Sequence, residues 1–290
     1  MLRYRRIAVT VKTRLEEKEK ILSSVIEVLR SCGADIFIDA QRACDANCAR
    51  AFPPYDGRQK VDLHLVIGGD GTILRAVREI SDYSVPLLTI NRGSVGFLAE
   101  LAFDEMKTMV PKLLSGEGNV EERAMLSVRV QRRRENILES IALNEIAVSQ
   151  GAIARLLDLR TSVGNESLAV FHADGLIIAT PTGSTAYSLA AGGPVVHPRL
   201  RAMILTPINP HSFTQKPLVI PGESVVTTEV VATGTTDERA NVSLTLDGQT
   251  YVALHLHDVV TVTTHADTVK FIRRNEDTFY RTLRAKLKWG

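Results

Sequence analysis

The chain has 290 residues, of which 44% are hydrophobic and 23% charged, with a net charge of +2. These values are typical of a soluble globular protein with room for one large domain or two ordinary ones. A net charge this small gives no electrostatic reason to expect nucleic-acid binding. No apolar run has the length of a signal or transmembrane segment. Three cysteines make an odd number without a pairing framework, which favours a reduced cytoplasmic interior. We therefore expect a cytoplasmic protein with neither a membrane nor a nucleic acid as partner.

The first part of the chain alternates short apolar runs with helical patterns. Strands are predicted at 6–11, 34–38, 63–67 and 86–90, and helices at 16–31, through 80, and at 104–114. Residues 40–60 are polar and irregular, so we expect a surface excursion with one short helix. The alternation indicates a Rossmann- or flavodoxin-like parallel α/β sheet with right-handed crossovers. Ligands of such sheets bind at the carboxyl ends of the strands.

A glycine-rich turn, Gly68-Gly69-Asp70-Gly71-Thr72, follows the strand predicted at 63–67 and precedes a helix. Such a turn presents backbone N–H groups to phosphate, and glycine lets ligand oxygens approach closely. A carboxylate there repels phosphate unless it binds a metal ion or accepts a hydrogen bond from a hydroxyl, and both are tasks of phosphoryl transfer. The alternative is a turn in which Gly-Asp-Gly merely suits the backbone. The phosphate-binding set that we predict is Gly68, Gly69, Gly71, Thr72 and Arg75.

The second part of the chain is dominated by residues that alternate between apolar and polar. Residues 115–118 form a boundary, after which strands are predicted at 125–130, 137–148, 156–163, 169–172, 224–231, 242–246, 250–256 and 259–263. Asp247-Gly248 has the composition of a tight hairpin turn. We predict an α/β domain at 1–118, a β-rich domain at 119–272, and a C-terminal helix within 273–290 that packs back on the first domain.

Two further features of this part have the chemistry of a nucleotide site. Residues 174–194 form a strand, a turn dense in hydroxyls and glycine, and a helix. The hydroxyls can hold ribose, amide or phosphate oxygens, and Tyr187 offers a ring for stacking. The alternative is a Ser/Thr-capped helix in a tight corner. Asn144 and Glu145 lie within the run 141–148, where they suit an adenine edge and a ribose diol or, alternatively, form a hydrogen-bonded pair at a strand end.

Taken together, these segments resemble the NAD kinase family. The resemblance covers about residues 7–272, is weakest at 40–60, and rests most on Thr180 to Tyr187. Its motifs are Gly68 to Thr72, Gly93 to Leu98, Asn144-Glu145, Asp174 to Pro194 and Asp247-Gly248-Gln249. The first motif alone is shared with diacylglycerol-kinase-like and phosphofructokinase-like enzymes, so only the combination is specific.

The resemblance implies transfer of the γ-phosphoryl group of ATP, or of polyphosphate in some members, to the adenosine-ribose 2′-hydroxyl of NAD. It also implies a nucleotide-binding α/β domain at 1–118 and a sandwich-like, NAD-binding domain at 119–272. The substrate is expected between these domains and usually between the subunits of a homodimer or homotetramer. Asp70 matches the catalytic aspartate, which accepts the hydroxyl proton, aligns the oxygen or helps to hold Mg²⁺. The positions that match NAD contacts are Gly71, Phe97, Asn144, Glu145, Asp174, Thr185, Ala186 and Tyr187.

The chain departs from the family pattern at two positions. Ala190 and Ala179 stand where the family often has serine. The loss of a hydroxyl at Ala190 is expected to loosen contacts to the nicotinamide ribose and to blur the preference between NAD and NADH. Two other functions compete with this interpretation. One is a lipid or sugar kinase that shares the glycine-rich turn, although no basic membrane-binding helix supports it. The other is a dinucleotide sensor without turnover, against which the intact Asp70 argues.

Overall fold

The computed structural model describes residues 2–93, 96–150, 156–232, 242–275 and 279–289. The chain divides into two compact units, one formed by 1–122 with 269–290 and the other by 123–268. The predicted assignment of nucleotide binding to the first part of the chain and NAD binding to the second stays a prediction.

The first unit is an α/β domain. Its strands are parallel in the order β3-β2-β1-β4-β5, as the alternating pattern predicts. The chain passes from β1 to β2 in one direction along the sheet and from β4 to β5 in the opposite direction. The boundary between β1 and β4 is therefore a topological switch point. The elements are β1 (Arg6–Val11), α1 (Lys18–Ser31), β2 (Asp35–Asp39), β3 (Pro54–Tyr55), β4 (Leu63–Ile67), α2 (Asp70–Glu79), β5 (Leu87–Asn91), β6 (Leu101–Ala102) and α3 (Met106–Ser115), with 3₁₀ turns at Asn47–Ala51 and Phe103–Glu105.

One face of this sheet carries an apolar core. Ile7 and Val9 of β1 and Leu65 of β4 face this core, where residues of α1 and α3 pack. Because successive strand residues point to opposite faces, Thr10 and His64 lie on the other face. The two faces therefore differ in chemistry, apolar on one side and partly polar on the other.

The second unit contains antiparallel sheets joined by short turns. Its elements are β7 (Asn119–Arg132), β8 (Glu135–Ala142), β9 (Glu145–Gln150), β10 (Leu157–Val163), β11 (Glu166–Ala173), β12 (Gly175–Ala179), α4 (Tyr187–Ala190), β13 (Ala202–Ile208), β14 (Leu218–Pro221), β15 (Val226–Ala232), β16 (Val242–Leu246), β17 (Thr250–Leu254) and β18 (Val259–Arg273), with a 3₁₀ turn at Gly183–Thr185. The first four residues of β7, the last five residues of β18 and α5 (Phe279–Leu287) belong by compactness to the first unit.

The β-rich prediction for this part is confirmed. One sheet has the order β14-β13-β12-β9-β16-β17, and β11, β10, β15 and β18 are consecutive strands of the other. Inward residues of both sheets share one buried cluster, including Leu159, Ile178, Leu244 and Val262. This is the arrangement of a β-sandwich.

Several predicted elements have different limits in the structure. The run 137–148 is two strands, β8 and β9, interrupted at residues 143–144, so Asn144 and Glu145 do not lie in mid-strand as predicted. The 40–60 segment is not only a surface excursion, because Ala43 and Ala46 are buried and β3 pairs with β2. Strands β13 and β14 were not predicted, and residues 276–278 of the predicted last helix lie outside the described residues.

Two turns follow from local chemistry. Gly33 adopts a left-handed conformation (φ +78°) just after α1, as its expected position at the helix end requires. Asp247 and Gly248 both have positive φ, and they join β16 to β17 in the tight hairpin that the sequence predicts. No helix among the described residues is both long and apolar enough to cross a membrane.

Candidate active site

The glycine-rich turn joins β4 to α2 at the carboxyl end of the parallel sheet. A Cβ on Gly68 would lie 2.5 Å from Thr72 Oγ1, so only glycine leaves room for that hydroxyl. The carbonyl of Gly69 accepts the first hydrogen bonds of α2, from the N–H groups of Thr72 and Ile73. The N–H of Gly68 is also engaged, because it donates to the Ile90 carbonyl at 2.8 Å. The positive end of the helix dipole at the start of α2 still favours an anion.

Asp70 is the first residue of α2, and its carboxylate is held by backbone. Oδ2 accepts the N–H of Phe97 at 3.1 Å, and Oδ1 accepts the N–H of Leu98 at 3.3 Å. A Cβ on Gly96 would lie 2.2 Å from Oδ1 of the same carboxylate. The segment after β5 therefore fixes the carboxylate through close backbone approach, which requires glycine at position 96. Ser94 and Val95 of this segment lie outside the described residues.

Three residues that the sequence did not single out hold this segment in place. The Leu98 carbonyl accepts hydrogen bonds from Thr89 Oγ1 at 3.0 Å and from Arg273 Nη1 at 3.2 Å. The Glu100 carboxylate in turn binds Arg273 Nη1 at 3.1 Å and Arg274 Nε at 2.8 Å. Arg273 and Leu98 are 175 positions apart in the chain, so no local pattern could have linked them.

The other predicted phosphate-binding residues differ in their exposure and in their contacts. Gly71 is exposed at the start of α2, while Thr72 is half-buried beside Gly68. Arg75 is exposed and pairs with Glu79 along the helix, with 3.1 Å between Nε and Oε1. No contact joins Arg75 to the Asp70 carboxylate among the described residues, so its role stays a prediction.

Asn144 and Glu145 lie where β8 has ended and β9 begins. The carboxylate of Asp247 accepts the backbone N–H groups of Leu143, Asn144 and Glu145 at 3.0, 2.8 and 3.2 Å. The side chain of the hairpin residue thus replaces a strand partner for three consecutive N–H groups, which is why the strand is interrupted there. The sequence indicates Asp247 as a turn residue and as part of a family motif, but it does not predict these three hydrogen bonds.

The side chains of Asn144 and Glu145 are buried but incompletely paired. Asn144 Oδ1 and Glu145 Oε2 have no hydrogen-bond partner within the described parts of the chain. Burial, with the nearby charge of Asp247, raises the pKa of Glu145 to about 8, and the backbone N–H of Tyr187 opposes this shift. Buried polar atoms are normally paired, so two adjacent unpaired acceptors indicate a position that a ligand's donors complete.

The hydroxyls of residues 180–188 mostly bind the protein itself. Thr180 Oγ1 donates to the Leu143 carbonyl at 2.6 Å, and Ser184 Oγ donates to the Pro181 carbonyl at 2.6 Å. Ser188 shares a hydrogen bond with Thr206. A Cβ on Gly183 would lie 2.0 Å from the Asn144 carbonyl, so this turn packs directly against the Asn144 backbone. These hydroxyls therefore bind within the protein, which fits the alternative of a Ser/Thr-capped helix in a tight corner, and their contact with ligand oxygens stays a prediction.

The remaining predicted NAD contacts fall into two groups. Thr185 and Ala186 are half-buried and Tyr187 is exposed, all on the turn that packs against Asn144. Asp174 precedes β12, whereas this turn follows it, so Asp174 lies beyond the opposite end of the strand. Its Oδ2 accepts a hydrogen bond from Asn209 at 3.0 Å. Within one chain, the structure does not bring Asp174 and Tyr187 together.

An α/β unit with a carboxylate fixed at a glycine-rich phosphate turn, followed by a β-sandwich, defines the class of the protein as a two-domain kinase of the glycine-rich-turn type. Two family models match the chain: the ATP-NAD kinase N-terminal domain over residues 7–118 and the ATP-NAD kinase C-terminal domain over residues 143–274. The chain belongs to the NAD kinase family.

Relatives and solved structures agree with this membership. The chain is 38% identical to the NAD kinase of Geobacter sulfurreducens over 286 residues and 40% identical to that of Acidobacterium capsulatum over 287 residues, with 99% of each chain covered. The NAD kinase of Archaeoglobus fulgidus, solved in complex with ATP, has a TM-score of 0.75 at 25% identity, with 98% of each chain covered. The yeast NADH kinase, solved with NADH, shares the fold, with a TM-score of 0.88 at 24% identity over 99% of this chain and 88% of that one.

Proposed function

We propose that this chain transfers the γ-phosphoryl group of ATP to the adenosine-ribose 2′-hydroxyl of NAD, which gives NADP. Relatives named NAD kinase, at 38–40% identity over almost the whole length, support this reaction. The observation that carries it is the Asp70 carboxylate, fixed by two backbone N–H groups at the start of α2.

Asp70 acts on the acceptor hydroxyl. Each carboxylate oxygen accepts one N–H group and keeps lone-pair capacity, so the carboxylate can accept the 2′-hydroxyl proton or align its oxygen without moving. In a loose phosphoryl-transfer transition state, positioning and charge stabilisation provide most of the rate enhancement. The positive end of the α2 dipole and the Thr72 hydroxyl would hold the donor phosphates at the glycine-rich turn.

Asn144 and Glu145 bind the adenosine part of NAD. The unpaired Asn144 Oδ1 can accept the adenine amino group, and the unpaired Glu145 Oε2 can accept a ribose hydroxyl. Both would then gain the partners that the protein does not provide. Phe97, Thr185, Ala186, Tyr187 and Asp174 keep their predicted roles around NAD as part of this proposal.

Mg²⁺ fits the chemistry of the site. Mg²⁺ is commonly bound by one or two carboxylates together with substrate phosphates and water, rather than by a cage of protein ligands. The described residues contain no cluster of three or more potential metal ligands, and Asp70 is the carboxylate at the turn. Asp70 would hold the ion with the donor phosphates, where the ion supplies neutralisation of charge.

Three further expectations belong to the same proposal. Polyphosphate is a second candidate donor, because a phosphate-binding turn does not itself require a nucleoside. We also propose a homodimer or homotetramer, as the resemblance implies, and a cytoplasmic location, which the three free cysteines favour.

The test is an assay for NADP formation from NAD and Mg²⁺, with ATP in one arm and polyphosphate in the other. We expect NADP with ATP and phosphorylation only at the 2′-hydroxyl, located by phosphorus NMR of the product. NAD binding without product from either donor would replace the proposal with a dinucleotide sensor. The absence of NAD binding would instead favour a kinase with another substrate that shares the glycine-rich turn.

A further inference from the structure

A second cavity lies in the first unit, on the face of the sheet opposite its apolar core. Its volume is about 340 Å³, near the lower end of the range for small-molecule sites. Its walls include Thr10 of β1, Tyr55 of β3, His64 and Val66 of β4, and Ala76 of α2. None of these residues belongs to the predicted phosphate-binding or NAD-binding residues. The proposed reaction therefore assigns no role to this cavity.

His64 is the unusual group in this cavity. It is only 4% exposed, yet neither of its ring nitrogens makes a hydrogen bond to any residue that the structure describes. The His64 ring packs edge to face against the Tyr55 ring, with the two ring centroids 5.5 Å apart. Burial lowers the pKa of His64 to about 4, so near pH 7 the ring is neutral and offers one donor and one acceptor. A buried polar ring without a partner, lining a cavity, indicates a ligand with complementary neutral groups.

The charges around the cavity exclude an anion from it. The ionisable side chains in its wall, apart from Tyr55 and His64, are Asp39, Arg42, Asp56 and Glu79. The guanidinium of Arg42 is already engaged by both Asp39 and Glu79. The wall is therefore net negative, and its one cation is neutralised. A phosphate would be repelled, whereas a neutral ring with an amino group would meet acceptors.

The position of the cavity relates it to the phosphate turn. Gly68 is the first residue after β4. Val66 lies two residues before it and His64 lies four residues before it. At roughly 3.3 Å per residue, the cavity begins about 7 Å from the turn and extends to about 13 Å. Ala76 lies about 9 Å along α2 from Asp70. A nucleotide with its phosphates at the turn could therefore place its base in the cavity without leaving this unit.

We propose that this cavity is the base subsite of the phosphoryl donor, with the adenine of ATP against the Tyr55 ring and within hydrogen-bond reach of His64. The inference rests on the proposed kinase function and specifies its donor. Adenine is favoured over guanine, because the 6-amino group is a donor that carboxylates and an unprotonated imidazole nitrogen can accept. The 6-oxo group of guanine would face acceptors instead.

The test compares donors that share phosphates but differ in the base. ATP and inorganic tripolyphosphate are titrated, with Mg²⁺, into the full chain and into Tyr55→Ala and His64→Gln. The affinity for ATP should fall at least about tenfold, the loss that follows removal of one stacking aromatic side chain, while the affinity for tripolyphosphate stays within about twofold. Tyr251→Ala is the matched control, since Tyr251 is 62% exposed on β17, and it should change neither affinity.

The ratio of kcat/KM for ATP over GTP is the second readout, and it should fall in His64→Gln. Because His64 is buried in a central strand, Tyr55→Ala on the short edge strand β3 provides the decisive result if His64→Gln does not fold. Unchanged ATP affinity in Tyr55→Ala, or equal losses for ATP and tripolyphosphate, would overturn the proposal. Absence of NADP formation by the wild type would overturn the kinase function instead, and the binding titrations would still decide the cavity.

Discussion

The chain uses a carboxylate in two contrasting ways. At the start of α2, the half-buried Asp70 has both oxygens occupied by backbone N–H groups. At the start of β9, the buried Glu145 has one oxygen without a partner in the described residues, and its pKa is raised to about 8 by burial and by the charge of Asp247. The Asp70 carboxylate is thus held by the protein itself, whereas the Glu145 carboxylate keeps a hydrogen-bonding oxygen that a ligand can pair with.

The difference shows that two carboxylates, one in each unit, are suited to different tasks. A group that must be positioned in a transition state benefits from fixed neighbours, because reorganisation then costs nothing during the reaction. A group that must recognise a ligand benefits from an unmet hydrogen bond, because only the correct ligand then satisfies it. We therefore expect changes near Asp70 to affect kcat and changes near Glu145 to affect the binding of NAD.

The largest effect is expected from Asp70→Asn. The amide cannot accept a proton from the 2′-hydroxyl and binds Mg²⁺ weakly, so kcat should fall by about 10²–10⁴-fold or more. Steady-state kinetics with NAD and ATP measure it. Asp104→Asn is the matched control, since Asp104 is exposed in the same unit, and its kcat should stay near wild type. If kcat survives in Asp70→Asn, both the proton-accepting and the metal-binding roles of Asp70 are wrong.

A smaller effect is expected when the carboxylate is displaced but kept. In Gly96→Ala the new Cβ would lie 2.2 Å from Asp70 Oδ1, so the carboxylate must shift. A displacement of this size costs about 10²-fold in kcat. Gly93→Ala is the control, because no atom lies within 4 Å of its added Cβ. Equal kcat values for the two variants would show that the fixed position of Asp70 does not matter.

A change in stability, rather than in rate, is expected from the pH dependence of Glu145. The pKa of Glu145 is about 8 in the folded chain and takes its ordinary value of 4.5 when unfolded. Between these values the folded state binds the extra proton, so the free energy of unfolding falls as pH rises, by about 1.4 kcal/mol per pH unit. Below pH 4.5 both states are protonated and the contribution is constant.

Glu145→Gln should remove this slope, which chemical denaturation at pH 5, 6, 7 and 8 measures. The variant should therefore gain stability relative to wild type as pH rises through this range. Glu166→Gln, on an exposed position of the same unit, is the control and should follow the wild-type curve. A wild-type minus Glu145→Gln difference that is independent of pH would contradict the raised pKa.

Local patterns in the sequence were sufficient for the longer strands and the helices of the α/β part and for the Gly68 to Thr72 turn, but not for the two-residue strands β3 and β6. Strand alternation and a glycine-rich break are properties of adjacent residues, and β4 begins and ends where the pattern predicts. The interruption between β8 and β9 was not predictable in the same way. It depends on Asp247, which is 102–104 residues away and binds three N–H groups that a strand would otherwise pair.

The environment of Asp70 shows the same limit. The residues that fix its carboxylate include Leu98, which is held by Thr89 and Arg273. Nothing in the composition around position 273 marks an arginine that supports a carboxylate so far away in the chain. For a related reason, the sequence could not decide between a ligand and a structural role for the hydroxyls of Thr180 and Ser184. Their residue types suit a ligand, but burial and close backbone carbonyls assign them to the protein itself.

The division of labour between the two regions is tested most directly by calorimetric titration of NAD into Asp70→Asn and Asn144→Ala, side by side. We expect Asp70→Asn to bind NAD within a few-fold of wild type. Asn144→Ala removes an acceptor that NAD would satisfy, so its Kd should rise by about tenfold or more. A large loss of affinity in Asp70→Asn together with wild-type affinity in Asn144→Ala would contradict the assignment of chemistry to one region and recognition to the other.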